Sequence, residues 1–349
     1  MRHLFTGVFI LLGAVVIGGC SNDDLNINFD DENAIDFSVT VPRSPRTATT
    51  TESINEFSVW AFVDGNKFMD NVTVVKNNNS WQYSPTMYWP ADDKAVNFYS
   101  ISPKIPKSEA TVVNTPGTPD ITGYTNTDGT TDLLYAVNMD ETAGTTSVVK
   151  VNFRHALSQL QFNVRRYSSD ATSPLRVEVK SLELLNVYSK GNLTMPRQTT
   201  GISGENLSSW SSQSEPNSPV IYDGNVVVLD NDNPVELNST GYMFALPQTL
   251  VPSVTSASAS VQGAYVRVLC AVYDQESGVK LWPSQTTQGY SDGMAYLYFP
   301  LSTSGSSVKE WRPGYAYRYN ITIGVPAGSS VIDFDVTVDG YKDFGNLDI

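Results

Sequence analysis

The chain has 349 residues, of which 36 are acidic and 22 basic, giving a formal charge of −14 at pH 7. A surface of that sign repels phosphate backbones and argues against nucleic-acid binding. Two cysteines and two histidines leave no material for a disulfide framework, a thiolate cluster or a multi-histidine metal site.

Met1-Arg2-His3 is a short basic segment, and residues 4–17 are apolar apart from Thr6, Gly7 and Gly13. That is the length of a signal-peptide core; a membrane span needs ~20 apolar residues. The stretch closes on Ile17-Gly18-Gly19-Cys20, which resembles a bacterial lipobox, so residues 1–19 read as a lipoprotein signal peptide and Cys20 as the lipidated residue. Two or more acyl chains, at ~0.8 kcal/mol per buried methylene, anchor a protein stably. Ser21-Asn22-Asp23-Asp24 and Asp30-Asp31-Glu32 form an acidic tether. The run also resembles the signal that sends some Gram-negative lipoproteins to the outer face of the outer membrane, the location expected here.

Residues 35–41 alternate apolar and polar, the pattern of a half-buried strand. Residues 42–51 follow as an exposed connector with two prolines, which remove ladder donors, and with Arg43 and Arg46. Short runs rich in Val, Ile, Tyr, Phe and Thr then recur at 57–63, 72–75, 96–100, 133–137, 148–153, 159–164, 177–187, 226–229, 265–273, 294–301, 315–324 and 331–338. No segment keeps a 3.6-residue apolar period. So many strands over about 300 residues exceed one sandwich of about 100 residues. They predict two all-β domains, 47–168 and 174–349, divided at the polar, Pro-containing stretch 168–174. Residues 201–219, rich in Ser, Gly and Pro, read as a long surface loop. Asp64-Gly65 and Asp128-Gly129 read as hairpin turns.

Near the far end, residues 332–338 repeat residues 35–41, with Asp335 in place of Ser38 as the one difference. A groove that holds Ile35, Phe37, Val39 and Val41 can equally hold Ile332, Phe334, Val336 and Val338. If the first copy is removed, the second copy of another molecule can replace it and the chains polymerise. Alternatively, the two are unrelated edge strands, or the second pairs inside its own domain, and the subunit then accepts a donor strand without supplying one.

No catalytic, cofactor-binding or metal residue is nominated. His155 and Ser158 invite a hydrolase reading, but a triad also needs a nucleophile on an exposed turn and an orienting carboxylate, and neither is signalled. Asp230-Asn231-Asp232-Asn233 lacks the glycine and the later Glu of a Ca²⁺ loop, because Pro234 intervenes. Cys270 reads as a buried strand thiol. Trp89 and Trp311 read as core, and Trp210 as a hydrophobic pin or, failing that, a surface recognition residue.

Several segments in order resemble the fimbrillin family, the lipoprotein subunits of protease-assembled (type V) pili. They are Trp81, Met87-Tyr88-Trp89-Pro90 leading to residues 96–103, Asp132-Leu133-Leu134-Tyr135-Ala136, residues 151–160, Gly241-Tyr242, residues 246–250, and Trp311-Arg312-Pro313-Gly314-Tyr315 with Tyr317, Tyr319 and Ile321. Tyr341 departs from the pattern, where many relatives have Trp. The resemblance implies two transthyretin-like β-sandwich domains in tandem. It also implies a precursor whose lipidated propeptide, residues 20–46 with the first strand, is removed by an Arg-specific or trypsin-like protease. Arg46, followed by Thr47-Ala48, best resembles the cut site, with Arg43 second. A donor strand at 331–338 then fills the groove of the next subunit. The expected partners are other copies or related pilus subunits, the protease, the outer membrane through lipid, and a host or bacterial surface ligand. The expected function is a fimbrial structural subunit contributing to adhesion; the alternatives are a tip or anchor subunit, or a monomeric adhesive or glycan-binding surface lipoprotein.

Overall fold

The computed structural model describes residues 33–41, 49–106, 111–113, 120–126, 129–144, 148–167, 174–199, 208–229, 233–238, 242–252, 263–302, 308–325 and, as backbone, 334–339. The first half carries β1 (Asp36–Thr40), β2 (Glu56–Val63), β3 (Asn66–Asn77), β4 (Ser80–Gln82), β5 (Val96–Ser102), β6 (Thr111–Val112), β7 (Ile121–Thr125), β8 (Leu134–Glu141), β9 (Val148–Asn152), β10 (Arg154–His155) and β11 (Ser158–Arg166). The second carries β12 (Leu175–Leu185), β13 (Val187–Thr194), β14 (Ser209–Asn217), β15 (Val220–Val228), β16 (Val235–Glu236), β17 (Met243–Ala245), β18 (Tyr265–Asp274), β19 (Lys280–Trp282), β20 (Ala295–Pro300), β21 (Ala316–Ile323) and β22 (Phe334–Asp339). Among the described residues the helical content is one 3₁₀ turn, Ala91–Asp93. The protein is all-β.

A six-stranded sheet in the order β10-β8-β5-β2-β3-β4 organises the first half. Its central strand β2 is buried at six consecutive positions, from Phe57 to Phe62. Phe57, Val59 and Ala61 join one apolar cluster, whereas Trp60 and Phe62 join another. The sheet is therefore covered on both faces, which is why its inner strands β2, β5 and β8 are buried at consecutive rather than alternate positions. On one face lies the two-stranded β1-β9 sheet. Against the other lie Ile121 and Tyr124 of β7, Leu193 of β13, and Phe244 and Leu246 around β17. The β2–β3 connection is the expected two-residue hairpin: Val63 pairs with Asn66, and Asp64 and Gly65 have φ of 50° and 77°.

The strands on either side of Asp128-Gly129 do not form a hairpin with each other. Asp128 lies outside the described residues, and the flanking β7 and β8 belong to different sheets. Gly129 instead permits a close crossing. Its φ is 67°, its carbonyl accepts from Phe244 N at 2.7 Å, and a Cβ there would lie 2.7 Å from Met243 Cε.

The remaining core fills the space between a β16-β11-β21-β22 sheet, with β17 added to β11, and a β15-β12-β18-β19 sheet, with β20 added to β18. Phe162 stacks on Tyr319 at 5.2 Å between centroids, and Trp311 Nε1 donates to Tyr319 Oη at 2.6 Å. Cys270 is fully buried there, and burial pushes its thiol pKa up. β11, which precedes the stretch 168–174, runs parallel to β21, and the β14-β13-β7-β6 sheet likewise draws strands from both sides of that stretch.

Of the loop expected at 201–219, residues 201–207 lie outside the described residues and Ser209–Asn217 form the strand β14. β14 pairs antiparallel with β13, placing Trp210 opposite Leu193. β14 is an outer strand and mostly exposed, and Ser212 and Glu215 take positive φ, so no apolar alternation marks it. Trp210 is a pin: its ring packs against the cluster around Tyr124, and Nε1 donates to Ala156 O at 2.8 Å.

Candidate strand-exchange groove

β1 occupies the groove that the repeat suggests. Its inward side chains, with Ile35 and Val41 flanking the strand, are buried: Ile35 0%, Phe37 6%, Val39 8% and Val41 2% exposed. Outward-facing Asp36, Ser38 and Thr40 are half-buried. The strand runs parallel to β9, in the register Asp36↔Val148, Phe37↔Val149, Ser38↔Lys150, Val39↔Val151 and Thr40↔Asn152. At the centre the Phe37 ring meets Tyr83, Phe57 and Phe98 edge-on, at 5.5, 5.8 and 6.0 Å. Such aromatic contacts add to the burial of the ring itself.

Both ends of β1 are tied down. At the start, Ile35 N donates to Met87 O at 2.9 Å and Trp89 N to Asn33 O at 3.0 Å. The Tyr83 hydroxyl donates to Ile35 O at 2.7 Å, and burial pushes its pKa up to about 12, so it stays a neutral donor. At the finish, Phe153 N donates to Thr40 O at 2.9 Å and Val41 N to Thr51 Oγ1, also at 2.9 Å. The last bond brings residues 41 and 51 together, so the intervening connector begins and ends at one place. Arg43 and Arg46 belong to that connector, and they, like Cys20 and Ile332 elsewhere in the chain, lie outside the described residues.

The second copy has a different setting. Phe334, Val336 and Val338 fall in β22, which pairs antiparallel with β21 at the end of its sheet, opposite Ile321, Tyr319 and Tyr317. The structure therefore does not bring the two copies together within one chain.

The hydrolase-like constellation resolves into packing. His155 Nδ1 lies 3.0 and 3.1 Å from the carboxylate oxygens of Asp132, so an orienting carboxylate is present that no local spacing signalled. Ser158 Oγ, however, donates to Arg312 O at 2.8 Å, and Ser158 is fully buried, so its hydroxyl has no route to a substrate. Residues 230–232 of the Asp/Asn run lie outside the described residues.

A family model described as Fimbrillin-like matches residues 43–340. The chain belongs to the fimbrillin-like family. No curated protein matches it. Among solved structures, this fimbrillin-like chain is similar to a fimbrial protein from Bacteroides vulgatus at 17% identity and TM-score 0.60, with 89% of this chain and 100% of the other covered. It is also similar to a protein assigned to cell adhesion from Bacteroides uniformis, at 12% identity and TM-score 0.48, covering 89% and 100%. A third is a fimbrial assembly protein from Parabacteroides distasonis, at 14% identity and TM-score 0.37, covering 88% and 99%. At 17% identity the likeness to the Bacteroides vulgatus protein shows the fold.

Three groups of residues that frame β1 escaped sequence reasoning: Val149, Val151 and Phe153 as its neighbours, Tyr83 as its clamp, and Thr51 as its terminal bond. The run 148–153 was visible as a strand, but nothing local marks which strand it adjoins. Tyr83 lies 48 positions from Ile35, a separation that no periodicity reports.

Proposed function

We infer that this fimbrillin-like chain is a structural subunit of a cell-surface fimbria. Its precursor is lipidated at Cys20, cut after Arg46 or Arg43 in the 42–51 connector, and joined to its neighbour when strand 331–338 replaces β1. On this reading the exported chain is a propeptide, 20–46, followed by two sandwiches in tandem. Family membership and the fimbrial structure from Bacteroides vulgatus support a fimbrial or adhesive role at the cell surface. Packing and hydrogen bonding account for the joint, with no catalytic step by this chain.

The observation that carries the reading is the burial of Ile35, Phe37, Val39 and Val41 within one apolar cluster, next to a connector whose ends meet. Removing side chains of this size exposes surface worth ~1.5–3 kcal/mol each, or on the order of 6–12 kcal/mol for four. It also strips β9 of a ladder partner. Domain stability is about 5–15 kcal/mol, so the vacated groove has a strong demand for a replacement of the same spacing. Insertion as an added strand meets that demand. A head-to-tail contact of this kind does not close on itself and so builds a filament.

The pairing of β22 with β21 favours a second reading. A subunit that keeps its second copy accepts a donor without supplying one, as a tip subunit does. Trypsin treatment of the exported chain separates the two. A stalk subunit is cut near Arg46 and then forms SDS-resistant ladders, which truncation after Gly328 abolishes while the monomer stays folded. A tip subunit is cut without forming ladders. Ladders that persist after the truncation remove the donor assignment.

A further inference from the structure

The two copies of the repeat differ at one of seven positions, Ser38 against Asp335. Ser38 stands directly opposite Lys150, which is the basic residue of β9. Partners in register point to the same side of a strand pair. Here that is the outer side: Ser38 is half-buried and Lys150 exposed, while Phe37, Val39, Val149 and Val151 are buried. A carboxylate in place of Ser38 would stand one strand spacing, ~4.8 Å, from the Lys150 backbone, where opposite charges attract.

We propose that Lys150 selects the second copy over the first. When strand 331–338 of another molecule of this chain takes the place of β1, Asp335 pairs with Lys150, an attraction the resident Ser38 does not provide. The single substitution between the copies thus biases the groove toward the incoming strand. This rests on the strand-exchange reading and adds a specificity-determining pair to it.

The same pair acts with Phe334 to fix the register. A one-residue slip turns every apolar side chain outward. A two-residue slip that sets Asp333 opposite Lys150 keeps the charge pairing but moves Phe334 to the place of Val39 and Ile332 to that of Phe37. The opposite slip sets Thr337 opposite Lys150 and Val336 in the place of Phe37. Either way the space framed by Phe57, Tyr83 and Phe98 receives no ring. Only the register of the repeat satisfies both the aromatic site and the lysine.

The test is the rate of ladder growth after trypsin treatment of the full exported chain at about 0.1 M salt, where charges interact over about 10 Å. Asp335→Ser makes the second copy identical to the first at this position, so its side chain suits either place. It slows ladder growth about two- to fivefold, the range of an exposed ion pair. Asp335→Lys and Lys150→Glu each slow it further, and the two combined restore the rate. All these differences shrink at about 1 M salt, where the screening length is about 3 Å. Wild-type rates in both Asp335 variants overturn the selection by Lys150 while leaving strand exchange standing. Absence of ladders from the wild-type chain overturns the exchange and this inference together. Should Lys150→Glu fail to fold, the Asp335 series alone decides.

Discussion

The two copies of the repeat sit in unlike surroundings. Residues 35–41 lie parallel to β9, with four side chains sunk into a cluster that extends across the six-stranded sheet. The later copy lies antiparallel to β21 as the last strand of its sheet. One sequence pattern therefore serves both directions of pairing, because alternation specifies which side chains go inward and leaves strand direction open. The contrast teaches that each copy has one ladder neighbour, β9 or β21, and that residues 35–41 are held in addition by four side chains packed into one apolar cluster.

The largest way to break the contrast is Phe37→Ala. It empties the site between Phe57, Tyr83 and Phe98 and lowers stability by ~3–5 kcal/mol in urea unfolding. Phe334→Ala leaves the urea midpoint of the monomer nearer to wild type but suppresses ladder formation. Equal losses of monomer stability in both variants would erase the asymmetry.

A smaller effect sharpens the contrast by giving the layer that belongs to neither copy its own signature. Asp120, beside β7, accepts from Met195 N at 2.7 Å, and burial pushes its carboxyl up to about 6, offset by that bond and by Arg197. Its folded pKa lies above the ordinary value of 3.8, so the folded protein holds the proton more tightly. The contribution is fully present below pH 3.8 and is lost as pH rises through about 6. Thermal melts from pH 4 to 6.5 should show a decline of about 1–2 kcal/mol from this group, and Asp120→Asn should flatten it. An unchanged slope in the variant rules out Asp120 as its source.

The smallest effect is that of Tyr83→Phe, which removes the hydroxyl donor to Ile35 O. A loss of ~0.5–1.5 kcal/mol is expected, with faster trypsin cleavage in the connector as β1 loosens. Unaltered cleavage kinetics would show that the clamp does not govern release.

Much of the fold is legible in the chain itself. The alternation of Ile35, Phe37, Val39 and Val41 marks both a strand and its buried face, and the apolar run of β2 marks a strand covered on two sides. Where inward positions carry small or polar residues, the signal fails. β13 turns Ser189 and Gly191 inward beside Val187 and Leu193, and a Cβ at Gly191 would stand 3.0 Å from Leu246 and 3.2 Å from Trp210, so those side chains fill the place an apolar residue would mark. β14 fails for the opposite reason, having almost nothing inward to show. In the groove, the plug was readable and its frame was not. Tyr83, Thr51 and β9 reach β1 through tertiary contacts, as Asp132 reaches His155, and such partnerships leave no trace in spacing.

The parallel alignment of β1 with β9 has a mechanical corollary. A pull along the strand axis loads the five register pairs from Asp36↔Val148 to Thr40↔Asn152 together, rather than one after another. Any strand seated in that place resists tension in shear, the stronger loading mode for hydrogen bonds. A thread of such joints would hold best when stretched lengthwise and part most easily when peeled from the side.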